Sequence, residues 1–220
     1  MTAVAVALTD VRERIAAAAR GAGRDPEAVR LVAATKTVPA EQVAEAVALG
    51  VTDIGENRAQ ELLAKAEALD AGLPAPTPPV CWHFLGRLQR NKVRGLAARV
   101  TWWQSVDREP LGLAIARHAP GARVLVEVNV AEEPQKGGCA PDDAARLVDA
   151  FRRAGLRVEG LMTIPPAGDD PRPWFATLRD LAADLGVHEL SMGMTDDFEA
   201  AVAEGATMVR VGRAIFGARA

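Results

Sequence analysis

The chain has 220 residues, of which 49% are hydrophobic and 25% charged, and it carries a formal net charge of −3. This composition suits one globular unit with a large core, and it excludes a disordered chain, a repeat array and any general attraction to nucleic acid or anionic membranes. No apolar run reaches the length of a membrane-spanning helix, and the apolar stretch 3–8 has no basic segment before it and meets Asp10, Arg12 and Glu13 directly after it, so a soluble protein without a signal peptide is expected.

An opening helix is predicted from Asp10 as cap, Glu13 three residues on, an apolar face of Val11, Ile15 and Ala18, and Gly21 as stop. The first β-type run, 31–35, leads into a helix opening near Pro39 and Glu41, which makes a first βα unit. Further strands are predicted at 52–54, 80–85, 101–104, 123–129, 156–163, 187–191 and 207–211. Helices fill the gaps, with amphipathic patterns around 143–153 and 173–185. The alternation implies an α/β fold with a parallel sheet buried on both faces. A count of eight strands favours a closed single-domain (β/α)8 TIM-type barrel with an extra N-terminal helix over an open sheet. The proline-rich segments 74–79 and 165–173 read as surface excursions, so one domain spanning 1–220 is expected.

Cys81 and Cys139 have neither metal-ligand spacing nor the density of a disulfide scaffold, and read as free thiols in a reducing, cytoplasmic setting. His83, His118 and His188 are scattered and no metal is expected. In a barrel of this kind the reactive groups gather at the carboxyl ends of the strands. Lys36 follows the first strand directly; it is either a solvated lysine at a strand end or an amine placed to form a Schiff base with an aldehyde.

The segment ELSMGMTDDFEAAVAEG reads as a strand, a tight turn through Gly193 and a helix with Thr195 as cap and Asp196 and Asp197 in its first turn. A phosphate at that tip would accept bonds from Thr195 and backbone amides, against the charge of the acidic pair. Arg210 lies within the apolar last strand and cannot shed its proton. It needs an acceptor, either a ligand such as a pyridine nitrogen or an internal carboxylate such as Glu127. Gly212 and Arg213 follow it, where a phosphate commonly sits in this fold class. Asn57 caps a helix or orients a ligand, and His83 packs in the barrel or touches a ligand. Arg87, Arg90, Lys92 and Arg94 read as a solvated helical face rather than a nucleic-acid site. The loop carrying Lys136 either closes over a site or simply turns the chain.

Taken in order, ATKTVPAEQV, IGENRAQE, WHFLGRLQRNK, LVEVNVAEEPQKGG, GLMTIPP, LSMGMTDDFEAA and MVRVGRAIFG resemble the pyridoxal phosphate homeostasis protein family over nearly the whole chain. That family is similar to the amino-terminal barrel of alanine racemase. The resemblance implies that Lys36 carries pyridoxal 5′-phosphate as an internal aldimine and that Arg210 faces the pyridine nitrogen. It places Thr195, Gly212 and Arg213 at phosphate-binding positions and Asn57, in the glycine-glutamate-asparagine motif, near the cofactor. His83, Ser191, Met192 and Gly193 are its expected neighbours. Thr195 stands where serine is common and keeps the hydroxyl. Arg213 replaces a small hydroxyl residue, so its backbone amide is the expected phosphate contact. Arg58, Arg87 and Arg90 also depart from the family pattern, as does the carboxyl terminus, which lacks the usual final aromatic.

Arginine at the ring nitrogen disfavours ring protonation and weakens the cofactor as an electron sink. The chain has no tyrosine to serve as the second base of an alanine racemase. The resemblance therefore implies a non-catalytic, cytoplasmic pyridoxal phosphate carrier that buffers or delivers the cofactor, with apo-enzymes as recipients and no nucleic-acid or membrane partner. The alternatives are a racemase or related amino-acid enzyme on the same cofactor, and a phosphate-binding barrel enzyme without it. With no exposed apolar stripe in the sequence, a monomer is expected.

Overall fold

The computed structural model describes residues 1–72, 79–168 and 170–217, so most of the proline-rich excursion predicted at 74–79 lies outside the described residues. Helix α1, Ala3–Gly21, buries Val4, Leu8, Val11, Ile15 and Ala19 along one stripe. It begins well before Asp10, because the apolar spacing continues through Val4 and Leu8. Thr2 is the cap, its hydroxyl accepting the Ala5 N–H at 3.2 Å. Asp10 sits on the exposed face and pairs with Arg14 at 3.4 Å.

A 3-10 turn, Pro26–Ala28, then leads into β1, Arg30–Ala34. The chain continues through α2 (Ala40–Ala48), β2 (Asp53–Glu56), α3 (Ala59–Gly72), β3 (Cys81–Phe84), α4 (Val93–Leu96), β4 (Val100–Val106), α5 (Glu109–His118) and β5 (Arg123–Glu127). It ends with α6 (Pro141–Arg153), β6 (Arg157–Met162), α7 (Arg172–Asp184), β7 (Glu189–Ser191), α8 (Phe198–Ala203), β8 (Met208–Val211) and α9 (Arg213–Phe216). The strands are parallel and pair in sequence order; β8 returns to β1 with Val32 opposite Arg210, closing the barrel. Each predicted strand has its counterpart within a few residues at either end.

Side chains alternate across the barrel wall. The outer alternation feeds the main core under the helices, where Ala33, Ile54, Phe84, Trp103, Val126, Leu161, Leu190 and Val211 belong to one buried cluster. Inside the barrel a separate small cluster of Val32, Trp102, Leu125, Met162 and Met208 fills the lumen. Gly160 is required where β6 meets β7, since a Cβ there would lie 1.8 Å from the Glu189 carbonyl oxygen. Arg30 and Arg123 each stack their guanidinium groups on Trp102, 5.2 Å from the ring centroid. Among the described residues no helix is long and apolar enough to cross a membrane.

Candidate functional site

A cavity of about 800 Å³ opens at the carboxyl ends of the strands. Lys36 and Thr37 line it after β1, Asn57 after β2, Thr195 and Asp196 after β7, and Arg210, Gly212 and Arg213 on and after β8. Leu85, Met162, Ile164, Met194 and Phe216 add apolar surface, of which Ile164 and Met194 are more than a third exposed. Lys36, Asn57, Thr195, Arg210, Gly212 and Arg213 are thus brought together from the ends of β1, β2, β7 and β8. His83, Ser191, Met192 and Gly193 do not line this cavity.

Lys36 occupies the corner of a turn in which the Val38 N–H donates to the Thr35 carbonyl at 2.9 Å. The next residue, Thr37, has φ 64°, a left-handed conformation that a β-branched residue adopts only under constraint. On the far side, Gly193 has φ 90°, and a Cβ there would lie 2.5 Å from the Ala201 Cβ. Only glycine lets the turn after β7 pack this close to α8.

That turn differs from the expected capped helix. Helix α8 begins at Phe198, and Asp197, rather than Thr195, is the residue before it. Asp197 folds back to accept the Met194 N–H at 2.5 Å, which leaves Thr195 on the cavity wall. Burial leaves the Asp197 pKa raised, with the Met194 amide and the Arg210 charge only partly offsetting it. Asp196 pairs with the Arg213 guanidinium on the exposed surface. The two carboxylates whose charge opposed an anion here are therefore both engaged, and the Arg213 side chain is turned to the surface.

Arg210 is 4% exposed. Its Nη1 donates to Ser191 Oγ at 2.7 Å and its Nη2 to the Thr163 carbonyl at 2.8 Å, rather than forming an ion pair with Glu127. A guanidinium only donates, so Ser191 must accept, and its own hydrogen goes to Gln104 Oε1 at 2.6 Å. The Gln104 amide nitrogen then faces His83 Nδ1 at 2.7 Å and Met208 Sδ at 3.6 Å. With Nδ1 accepting, the proton of a neutral imidazole lies on Nε2, which donates to Asp53 Oδ1 at 2.9 Å. A single directed chain of hydrogen bonds therefore crosses the lumen from the Arg210 cation to the Asp53 anion.

The ionisation of its members agrees with that direction. Burial lowers the His83 pKa despite the opposing influence of Asp53, which keeps the ring neutral. Burial raises the Asp53 pKa, but the hydrogen bonds from His83 and Thr52 outweigh it and leave the carboxyl below its ordinary value. Burial pushes Arg210 down to about 10, so it stays charged at neutral pH. His83 also stacks on Trp102, with ring centroids 5.9 Å apart. It packs in the barrel, and Ser191 meets the Arg210 guanidinium. Gln104 escaped the sequence reading; its one signal was a polar residue inside the apolar strand TWWQSV.

Glu127 ends β5 almost completely buried, and its pKa is pushed up to about 7, by burial first and by Asp107 next, against Arg210, Arg87 and Arg108. Cys139 is a buried thiol pushed up to about 12 by burial, which makes it inert, and Cys81 is also free. Among the described residues no group of His, Cys, Asp or Glu is placed to hold a metal. Of the exposed basic cluster, Arg90 and Lys92 lie on a 3-10 turn, Arg90–Lys92, and Arg94 on the single-turn α4, with Arg87 in the loop before them, rather than on a long helix.

The family described as alanine racemase, N-terminal domain, matches residues 6–220. A pyridoxal phosphate homeostasis protein of Pseudomonas aeruginosa is 44% identical, over 100% of this chain and 97% of its own length. The chain belongs to the pyridoxal phosphate homeostasis protein family. A family member of Aquifex aeolicus is 42% identical over 96% of each chain. Among solved structures, PipY of Synechococcus elongatus with pyridoxal phosphate bound is similar at a TM-score of 0.81 and 33% identity, over 97% of this chain and 100% of PipY.

Two consequences can be measured. Gln104→Leu strands the Ser191 hydroxyl and His83 Nδ1 inside the lumen, and urea unfolding is expected to show a loss of about 2–4 kcal/mol. A loss under about 1 kcal/mol would show that the chain carries little of the fold's stability. Because the Glu127 pKa is raised on folding, the stability tied to its proton is present at low pH and lost as pH rises through about 7. Glu127→Gln removes that dependence. The stability of the variant relative to wild type should therefore climb by up to about 3 kcal/mol between about pH 5 and about pH 8. A difference that stays constant over that range contradicts the assignment.

Proposed function

We propose that this chain binds pyridoxal 5′-phosphate covalently through Lys36 as a Schiff base, and that it buffers or delivers the cofactor rather than using it in catalysis. One observation carries the reading: Lys36 and the buried, permanently charged Arg210 line the same cavity at the strand termini. An amine at one wall suits an aldehyde, and an N–H donor at another suits a ring nitrogen. Thr195 and the backbone at Gly212 and Arg213 suit the phosphate, with the Arg213 side chain held away by Asp196. Asn57 lies on the same wall segment, fixed by Gly86, where a Cβ would come 2.2 Å from the Asn57 carbonyl oxygen. The homeostasis-protein relatives and PipY with its bound cofactor support the same ligand.

Pyridoxal phosphate, when bound, supplies an aldehyde for imine formation and a ring whose electron demand rises when its nitrogen is protonated. Arg210 would donate to that nitrogen without passing it a proton at neutral pH, and so would restrain carbanion chemistry. The chain contains no tyrosine to act as the second base of an alanine racemase. A cytoplasmic monomer that hands cofactor to apo-enzymes completes the proposal.

The test is the visible spectrum of protein mixed with pyridoxal phosphate, followed by borohydride reduction and mass mapping beside Lys36→Ala. An imine band that the variant lacks, with the reduced cofactor on Lys36 and no exchange of the α-proton of alanine in deuterated water, is expected. Exchange would make the chain an amino-acid enzyme on this cofactor. Absence of any adduct on Lys36 would overturn the cofactor reading.

A further inference from the structure

We infer that Lys65, with Glu61, is a positioning residue that shapes the Lys36 turn in advance of ligand, an inference that rests on the cofactor reading above. Lys65 projects from α3 beneath β1 and is 7% exposed. Its Nζ donates to the Thr35 carbonyl at 2.6 Å and lies 2.5 Å from Glu56 Oε1. The Thr35 hydroxyl donates to the same Glu56 oxygen at 2.6 Å. Four residues before Lys65 on the same helix, Glu61 accepts the Thr37 N–H at 3.0 Å and lies 3.6 Å from the Lys65 amine.

The peptides on both sides of Lys36 are thus gripped by one short stretch of α3. Thr35 is held through its carbonyl and its hydroxyl, and Thr37 through its amide. The Thr35 carbonyl also closes the turn by accepting the Val38 N–H, so Lys65 stiffens the bond that defines the turn. The need for such a grip is visible at Thr37, whose φ of 64° is costly for a β-branched residue and persists only where neighbours enforce it. The Thr37 amide in turn holds the Glu61 carboxyl below its ordinary pKa, with the Lys65 charge assisting.

A bland account is available, in which Lys65 only neutralises the buried Glu56. It explains the Lys65–Glu56 pair, but not the hydrogen bond to Thr35 or the Glu61 clasp on Thr37. The two accounts also separate by measurement. A neutralising lysine affects stability alone, whereas a positioning lysine affects how the Lys36 amine, borne on the residue after Thr35, meets an aldehyde.

The experiment titrates wild type, Lys65→Met and Glu61→Ala with pyridoxal phosphate, reading the imine band, alongside the melting temperature of each protein without cofactor. Glu61→Ala leaves the buried Lys65–Glu56 pair intact and alters a partly exposed side chain. It is expected to melt close to wild type while its apparent dissociation constant rises about tenfold. Lys65→Met is expected to weaken binding at least as much, with a lower melting temperature. Should Lys65→Met fail to fold, Glu61→Ala alone decides. Wild-type binding in Glu61→Ala, or in folded Lys65→Met, would overturn the positioning role while leaving Lys36 as the binding residue. A wild type that forms no imine would overturn the parent reading, and this inference with it.

Discussion

A guanidinium buried inside a barrel lumen must be given acceptors, because it keeps its proton at neutral pH and little of it meets water. At Arg210 that requirement organises a polar chain across the lumen. The Ser191 hydroxyl and the Thr163 carbonyl receive it directly, and the direction of the Ser191 hydrogen then dictates the Gln104 amide, the His83 tautomer and the bond to Asp53. Strands β2, β3, β4, β7 and β8 are tied into one donor-to-acceptor sequence. The small apolar cluster packed beside it excludes water, so each of these bonds acts in a medium where leaving it unmade is costly.

The other wall of the cavity is built on a different plan. Lys36 stands on a turn and owes its place to backbone contacts, where Arg210 stands within a strand and owes its place to side chains. The turn is strained at Thr37 and clasped from α3. A rigid donor in the floor and an amine on a braced turn line one cavity, and the proposed seat for a flat, anionic, aldehyde-bearing ligand rests on that pairing. Asp196 pairs with Arg213 and Asp197 folds inward onto the Met194 amide, so neither carboxylate is left unpartnered at the end of the cavity proposed for the phosphate.

Much of this was legible from residue order. Short β-type runs alternating with longer helical patterns were enough for eight strands and a closed barrel. Lys36, Asn57, Thr195, Gly212 and Arg213 could be read as neighbours because each follows a strand, and Arg210 because it lies near the end of the last one. Harder to read were residues whose role depends on which side of a strand they face. His83 and Ser191 point into the lumen and serve Arg210, while Glu56, on the opposite face of β2, meets Lys65 under α3. The helix starts slipped for a related reason. Thr2 took the cap of α1 because apolar spacing ran past Asp10, and the turn after β7 consumed Thr195, Asp196 and Asp197 before α8 began. Gln104 gave only a weak signal, a lone amide between two tryptophans and a serine, because local sequence carries no record of the strands that face it.

The most direct test of the seat is a crystal structure of this chain grown with pyridoxal phosphate. The account predicts continuous density from Lys36 Nζ to the cofactor, the ring nitrogen within hydrogen-bonding distance of the Arg210 guanidinium, and the phosphate between the turns after β7 and β8. A cofactor bound elsewhere, or a ring nitrogen facing a carboxylate instead of Arg210, would contradict it.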